Sequence, residues 1–334
     1  MEVKVAGRSF WLDELIIENI MLSLGSSREL AGVARVCAPL RSAAVTVADD
    51  KLLALHHRLQ ALPPDGVDAP SPLLSLVRWE AVEAANLVWL QANPSSLILQ
   101  RVVRETEIRV RGCADLSGNG HHAQSTVDSS PGFNPCALNG HGALEFDGAS
   151  VLRAAPFATP LQQPVTIIVV ARARGDTTIV DSHSTRSGRF ELCHGYPAAA
   201  SIIAGPPQVV MTADGVGTSS PAKLLRGATR SNGQWHVYTA IFNGSKSEMF
   251  IDGRCEGARK TVGGGTLDGL TIGCDHSGVF HLRGSIAELR LYHCHLQAAE
   301  RTQTEAALAL RYGLSHAAVA HMDPAPGNPY RADP

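Results

Sequence analysis

Apolar residues in the first sixty positions recur at helical spacing. Leu12, Leu15, Ile16 and Ile20 follow one another at steps of one to four and share one face until Gly25 interrupts. Ser26 and Glu29 have the spacing of a capping box, and Leu30, Val33, Val36, Cys37 and Leu40 carry the stripe onward. Pro39 is placed to start a third helix through Val45 and Leu52 to His57, so residues 1–60 are expected to form a small all-α domain with its helices from about residue 8. Pro63, Pro64, Asp65, Gly66, Pro70 and Pro72 crowd residues 61–72 with turn formers and predict a linker, followed by one more helix over 73–85.

From Leu87 the period changes from helical to alternating. Short apolar runs bounded by turn residues predict an all-β region, with the spacing of an antiparallel sandwich rather than of βα units. Leu144 and Phe146 point one way and Glu145 and Asp147 the other, with Gly148 as the turn. Val165–Ala171 is apolar on both faces apart from Thr166 and is expected to be the central strand, covered on both sides. Trp235, Val237 and Ile241 should line one face of a half-buried strand, and Met249 and Ile251 repeat the pattern. Leu270 with Ile272, then Ala287, Leu289 and Leu291, supply further inward faces. Gly273, Gly278 and Gly284 mark corners. A closing helix is predicted over 298–312 with Ala299, Ala306 and Leu310 on its apolar face and Gly313 as its C-terminal cap; residues 315–334, rich in proline, read as a flexible tail. The predicted fold class is mainly β, a two-sheet antiparallel sandwich over 86–314, preceded by the helical domain and the 61–85 linker and helix.

Composition narrows the partners. The 334 residues carry 29 Lys and Arg against 31 Asp and Glu, a formal charge of -2, which leaves no electrostatic footprint for nucleic acid. The sequence begins without a basic, apolar leader and no apolar run reaches bilayer length, so a soluble cytoplasmic or nuclear protein is expected. Seven scattered cysteines without a Cys-x-x-Cys spacing argue against a disulfide framework and a zinc knuckle. One bridge, Cys255 with Cys274, is geometrically conceivable because both follow neighbouring strands, but free thiols are the expected state.

Asp115-Leu-Ser-Gly-Asn-Gly-His-His-Ala123 admits only a tight turn, because Gly118 and Gly120 take positive φ at little steric cost and the Asp115 and Ser117 side chains bond nearby backbone N–H groups. With Asn139-Gly-His-Gly-Ala-Leu-Glu-Phe-Asp-Gly148, Asn232-Gly-Gln-Trp-His236, Phe250-Ile-Asp-Gly253, Gly284-Ser-Ile-Ala-Glu-Leu289, and Ala299-Glu-Arg301 to Tyr312-Gly-Leu314, it resembles the laminin-G-like jelly roll of the concanavalin A-like lectin/glucanase superfamily, with the motifs in the family's order over 86–314. Leu12-Asp-Glu-Leu15 and the stretch from Leu30 through Val33 to Val36 and Cys37, opening onto Arg41, resemble an F-box, although Asp13 and Leu40 stand where that family usually has proline and tryptophan. The second resemblance implies docking of Leu12, Leu15, Ile16, Ile20, Leu30, Val33 and Val36 onto the adaptor of a cullin-RING ubiquitin ligase; a helical mini-core packed on itself or on the sandwich is the plainer reading of the same stripe.

The chemistry-bearing residues favour binding over catalysis. Glu145 and Asp147 alternate as a glycan-cleaving pair would, but Ala149 occupies the next alternate position and Asp147 stands where a turn-capping aspartate belongs. His293 and His295 share a strand face, too few for zinc. The jelly-roll resemblance suggests calcium at rim carboxylates, with Asp115, Asp181 and Asp275 as donors, yet none lies in a run with metal-ligand spacing, so no cofactor is expected. A ligand rim is expected among Asp115, Asn119, His121, His122, Asp181, His183, Asp275 and His276, with Tyr196 or Trp235 as the stacking aromatic; the plainer readings are solvated loop histidines and a core tryptophan. The expected function is therefore a non-catalytic substrate receptor of a cullin-RING ligase whose jelly roll binds a glycan or protein target. The alternatives are a lectin-like or protein-binding scaffold module without a ligase role and a glycan-cleaving enzyme.

Overall fold

The computed structural model describes residues 2–5, 8–11, 86–101, 108–183, 189–195, 207–214 and 221–317. The chain divides into two compact units, Met1–Ala81 and Val82–Pro334. In the first, β1 (Glu2–Val5) and β2 (Arg8–Trp11) pair antiparallel with Glu2 opposite Trp11 and Val5 opposite Arg8. This corrects the expectation of helix from residue 8: Glu2, Val3, Lys4 and Val5 alternate with a period of two, which the helical count passed over. The seven stripe residues Leu12 to Val36, the 61–72 linker and the 73–85 helix lie outside the described residues.

The second unit is a β-sandwich. Its strands begin with β3 (Asn86–Gln91), β4 (Leu97–Arg101), β5 (Ile108–Cys113), β6 (Ala123–Gln124), β7 (Gly132–Leu138), β8 (His141–Asp147) and β9 (Leu152–Ala154). They continue with β10 (Val165–Arg174), β11 (Thr177–Asp181), β12 (Glu191–His194), β13 (Gln208–Thr212), β14 (Leu225–Arg230), β15 (Asn232–Phe242), β16 (Ser247–Ile251), β17 (Arg254–Lys260), β18 (Thr271–Ile272) and β19 (Arg283–Tyr292), then helix α1 (Ala298–Tyr312). One sheet runs β17-β16-β15-β10-β19, and β3 and the β8–β7 hairpin share the far edge of β19. The other runs β14-β13-β12-β11-β18-β9-β6-β5-β4. Every described pairing is antiparallel, and Arg109 opposite Gly132 links the two layers.

The main core lies between the sheets, where Ile167, Val169, Tyr238 and Leu289 of the first meet Val180, Leu192, Met211 and Ile272 of the second. β10 is central as expected, and its Ile168 and Val170 face the other way, into a second cluster with Leu308, Ala309 and Tyr312 of α1. β15 is covered likewise: Val237 to Phe242 are buried on both faces, not half-buried, because Tyr238, Ala240 and Phe242, on the face that alternation left open, enter the core between the sheets while Val237 joins the α1 cluster. A register shift between Val170 and Ala171 turns Ala287 out of the inward row of Leu289 and Leu291 and into the helix-side cluster.

α1 ends at Gly313, which takes φ 64 as a left-handed cap, and its start is closed by the reciprocal Gln297 and Glu300 bonds of a capping box. Its buried face is Arg301, Thr304, Glu305, Leu308, Ala309 and Tyr312, whereas Leu310 is 61% exposed. Ala299 is exposed as well. An apolar count selects the wrong face because the buried polar side chains find local partners: Arg301 binds Glu305 Oε2 at 2.6 Å and Thr304 bonds the Glu300 carbonyl at 2.8 Å. Order extends past residue 315, since His316 is buried and the Ala317 N–H bonds the Asp252 carbonyl at 3.0 Å. The described cysteines are free, with Cys274 buried and Cys255 exposed, so the conceivable bridge is absent.

Candidate functional site

The Asp115 turn satisfies itself. Asp115 Oδ1 accepts from the backbone N–H groups of Trp89 and Ser117 at 2.9 and 3.0 Å, and Oδ2 accepts from the Ser117 hydroxyl and the His121 N–H, both at 2.9 Å. Asn119 Nδ2 donates to the carbonyls of Asn86 and Leu87, and His122 Nδ1 accepts from the Asp115 N–H at 3.0 Å. The His121 ring packs edge-on against Phe157 at 4.8 Å. Asp115 and Asn119 tie the β5–β6 connection to β3, and the carboxylate has no unengaged oxygen to offer a ligand.

Asp181, Asp275 and His276 come together on the second sheet. β6, β9 and β18 lie between β5 and β11, so roughly 19 Å of sheet separates this group from the Asp115 turn, and the eight expected residues do not form one rim. Asp181, at the end of β11, is fully buried. Its Oδ1 accepts from the Ser182 and Phe190 N–H groups, and its Oδ2 from the N–H and Nδ1 of His276, the latter at 2.6 Å. That hydrogen bond holds the His276 imidazole above its ordinary pKa, against the opposing effect of burial. Asp275 accepts from Ser277 and Val279, and His183 sits beside the cluster, its N–H on Asp268 Oδ1 at 2.9 Å.

Two residues that the sequence reading missed complete the cluster. Arg189 divides its guanidinium between Glu191 Oε2 at 3.2 Å and Asp275 Oδ2 at 3.6 Å. Glu191 opens β12, is 2% exposed, and takes a 2.6 Å hydrogen bond from the Thr178 hydroxyl on β11. Burial first, and the nearby Asp181 charge second, push its carboxyl up to about 7. The alternation of Arg189, Glu191 and Cys193 on one strand face was the available signal.

Glu191 also lines a cleft with Asp176, Thr177, Thr178, Cys193, His194, Gly195 and Phe280. The cleft is shallow and encloses only about 10 Å³, room for about one water molecule. Asp176 is exposed and makes no hydrogen bond among the described residues. His194 is buried and falls to about 4, chiefly by desolvation, so it adds no charge. The arrangement offers hydrogen-bond acceptors beside one aromatic ring.

The remaining candidates lie elsewhere. Glu145 faces outward, 3.8 Å from Arg172 and bonded by Asn134 at 3.2 Å, while Asp147 Oδ1 takes the Ala149 and Ser150 N–H groups and the Ser150 hydroxyl, as a turn cap does. Trp235 is half-buried under the Arg172 guanidinium, 5.2 Å from its ring. His293 bonds the Gln162 carbonyl and His295 lies 3.8 Å from Glu248, so they share no ligand. Tyr196 lies outside the described residues. Calcium does not fit the three carboxylates proposed for it: Asp115 is remote from the other two, and all three are ringed by N–H and O–H donors where a cation would need further oxygens. Among the described residues no group of three or more His, Cys, Asp or Glu side chains is placed to hold a metal ion.

No curated protein matches the chain. Among solved structures it is similar to an arabinofuranosidase complexed with arabinofuranosyl-α-1,2-xylobiose, at 12% identity and TM-score 0.46 over 68% of this chain and 59% of that one. It is similar to the sialidase of Trypanosoma rangeli in complex with sialic acid, at 11% identity and TM-score 0.47 over 84% of this chain and 40% of that one. The ligand binding domain of Botulinum neurotoxin serotype D in complex with N-acetylneuraminic acid gives 13% identity and TM-score 0.45 over 71% and 56%. The chain thus spans less than two thirds of each of these three proteins. Residues 170–300, from β10 into the first turn of α1, match the concanavalin A-like lectin/glucanases superfamily, and the chain carries a domain of that superfamily there.

Proposed function

We propose that the sandwich is a non-catalytic carbohydrate-binding module of the lectin kind, with the surface at the mouth of the β11–β12 cleft as its contact site. The observation that carries this reading is the match of residues 170–300 to the concanavalin A-like lectin/glucanases superfamily, with Asp176 and Phe280 together at the cleft mouth. Sugar hydroxyls need acceptors of this sort, and the apolar face of a pyranose needs a ring to lie against. Glu145 and Asp147 support binding rather than cleavage, since one is paired with Arg172 and the other caps a turn. A glycan array probed with the full chain tests the reading: selective binding is expected, weakened about tenfold or more by Phe280→Ala and unchanged by Glu145→Gln. Absence of binding across the array, or polysaccharide turnover abolished by Glu145→Gln, would overturn it.

A second role rests on Met1–Ala81 being a compact unit of its own. In this role the F-box-like stripe docks the adaptor of a cullin-RING ubiquitin ligase, and the sandwich supplies a glycan-bearing or protein target in the cytoplasm or nucleus. Co-purification of the adaptor with the wild-type chain, lost on Leu15→Asp or Val33→Asp, is the expected result. A wild-type chain that retains no adaptor removes this role and leaves the carbohydrate reading intact.

A further inference from the structure

The strands that end a sheet turn backbone groups outward, and an open edge of this kind is a template for another strand unless something guards it. β14, β3 and β7 are guarded by specific devices. At β14 the Glu256 carboxylate of β17 accepts the N–H groups of Ala228 and Thr229, both at 2.8 Å. At β3 the Asp115 turn takes over, with the Trp89 N–H on Asp115 Oδ1 and the Leu116 N–H on the Trp89 carbonyl at 2.7 Å. β7 carries Pro135, which has no N–H to offer. β17 is lined by charge, with Arg254 and Lys260 exposed.

β4 has none of these guards. Among the described residues it pairs only with β5, and its sequence, Leu-Ile-Leu-Gln-Arg, places no proline and no charge before its last position. Ile98 is 62% exposed and Leu99 40%, and Ile108 of β5 is exposed as well. The Ser96 carbonyl turns toward β5, where it accepts the Ala114 N–H at 2.7 Å. Successive residues of a strand send their backbone groups to opposite sides, so Leu97 and Leu99 turn theirs to the open edge.

This edge is complementary to itself. A two-fold axis through Leu99, perpendicular to the sheet, sets two copies of β4 antiparallel, so that Leu99 and its symmetry mate exchange backbone hydrogen bonds. Ile98, which is opposite Gly112 and on the outer face, then meets its own mate diagonally. Leu99 is opposite the buried Val110, so the two Leu99 side chains meet on the inner face at the sandwich rim. A slip of one residue would set outer positions against inner ones, which fixes the register. We propose that β4 is a homodimerisation edge, at which a second copy of this chain extends the second sheet across a two-fold axis at Leu99. One strand pair is a small interface, so the expected affinity is micromolar. Dimerisation sets two sugar-contact surfaces on one particle, and avidity then strengthens what a shallow single site binds weakly.

Sedimentation of the full chain over a concentration series, with amide hydrogen exchange read at the same concentrations, tests the assignment. The wild-type chain is expected to pass from monomer to dimer, and exchange at Leu97 and Leu99 to slow in step. Leu99→Lys sets like charges directly opposite each other and should weaken the dimer about tenfold or more, with Ile98→Lys weakening it less. Both side chains are exposed, so both variants should melt near the wild-type temperature, and Leu310→Lys, at an exposed position on α1, should leave the dimer intact. A wild-type chain that stays monomeric at high-micromolar concentration would overturn the proposal, as would a dimer that survives both β4 lysines. Exchange at Leu97 and Leu99 that ignores concentration would overturn it too. Capture of an extended peptide by a chain that remains monomeric would assign the edge to a partner strand instead.

Discussion

The Tyr312 hydroxyl donates a 2.9 Å hydrogen bond to Glu288 Oε2, joining the last turn of α1 to β19. Glu288 is fully buried in side chain and its two oxygens also accept from Trp89 Nε1, Gln91 Nε2, Arg290 and Arg311. Burial alone would raise its pKa, but the Arg290 and Arg311 charges and these donors reverse the sign and hold it at about 2. Arg290 in turn lies over the Trp89 ring at 4.7 Å, so β3, β19 and α1 meet at one carboxylate.

Glu288→Ala should therefore cost about 3–5 kcal/mol, because it strands Arg290 in the interior, and Tyr312→Phe about 1.5–3 kcal/mol. A carboxylate depressed in the folded state stabilises above its unfolded pKa and stops doing so as pH falls toward the folded value. Stability from Glu288 is thus expected to be complete above about 4.5 and to drain away toward pH 2. Urea titrations from pH 5 to 2 should show this loss in the wild-type chain and a shallower one in Glu288→Gln.

Glu191 works with the opposite sign. Its folded pKa of about 7 lies above the ordinary 4.5, so between these values the native state binds more protons than the unfolded chain and stability falls as pH rises. His276, raised by its bond to Asp181, acts in the same direction, losing its contribution as pH passes through its elevated pKa. The groups that face Glu191 are Asp181 from β11, Arg189 and Cys193 from β12 and its approach, Asp275 from the β18–β19 loop, and the Thr178 hydroxyl. Melting temperatures measured from pH 5 to 8 should decline for the wild-type chain and decline less for Glu191→Gln, which keeps an acceptor for Thr178 without the charge. Equal slopes would remove Glu191 as the source.

The sandwich was legible because its strands obey simple periods and its hairpins carry unambiguous turn residues. Asn139-Gly140 and Asp252-Gly253 take positive φ at both positions, as two-residue hairpins with matched twist require, and Val165–Ala171 announced a strand covered twice. The helix-side details were hidden for a physical reason. α1 buries Arg301 and Glu305 hydrogen-bonded to each other and Thr304 on the Glu300 carbonyl, so a count of apolar residues picks Leu310, which faces water. The bulge that moves Ala287 depends on pairing with β10, not on anything local. At the candidate site Asp181, Asp275 and His276 were legible as polar residues at turns, whereas Glu191, Arg189, Asp176 and Phe280 become neighbours only when β11, β12 and the loop before β19 are brought together.

The C-terminal segment is pinned to the Asp252-Gly253 turn, and that contact makes a coupled prediction. Asp252 Oδ1 accepts the Val237 N–H at 2.8 Å and Oδ2 meets His236 Nδ1 at 2.7 Å, which fixes the turn on β15. Over it lies His316, fully buried in side chain and 3.3 Å from Glu305 Oε2. Gly253 has φ 77, and a Cβ added there would run into the His316 imidazole. Gly253→Ala thus carries two penalties, about 1–2 kcal/mol for a left-handed alanine and a further 1–3 kcal/mol for overpacking a ring that Glu305 and the helix hold in place. His316→Ala is itself destabilising, since it opens a void and removes a partner of the buried Glu305 carboxylate. In the double variant the backbone strain persists but the collision is gone, so the two costs should fall short of additivity by about 1 kcal/mol or more. A denaturation cycle over the wild-type chain, both single variants and the pair measures that shortfall directly, and strict additivity would show that Gly253 is required for its backbone conformation alone.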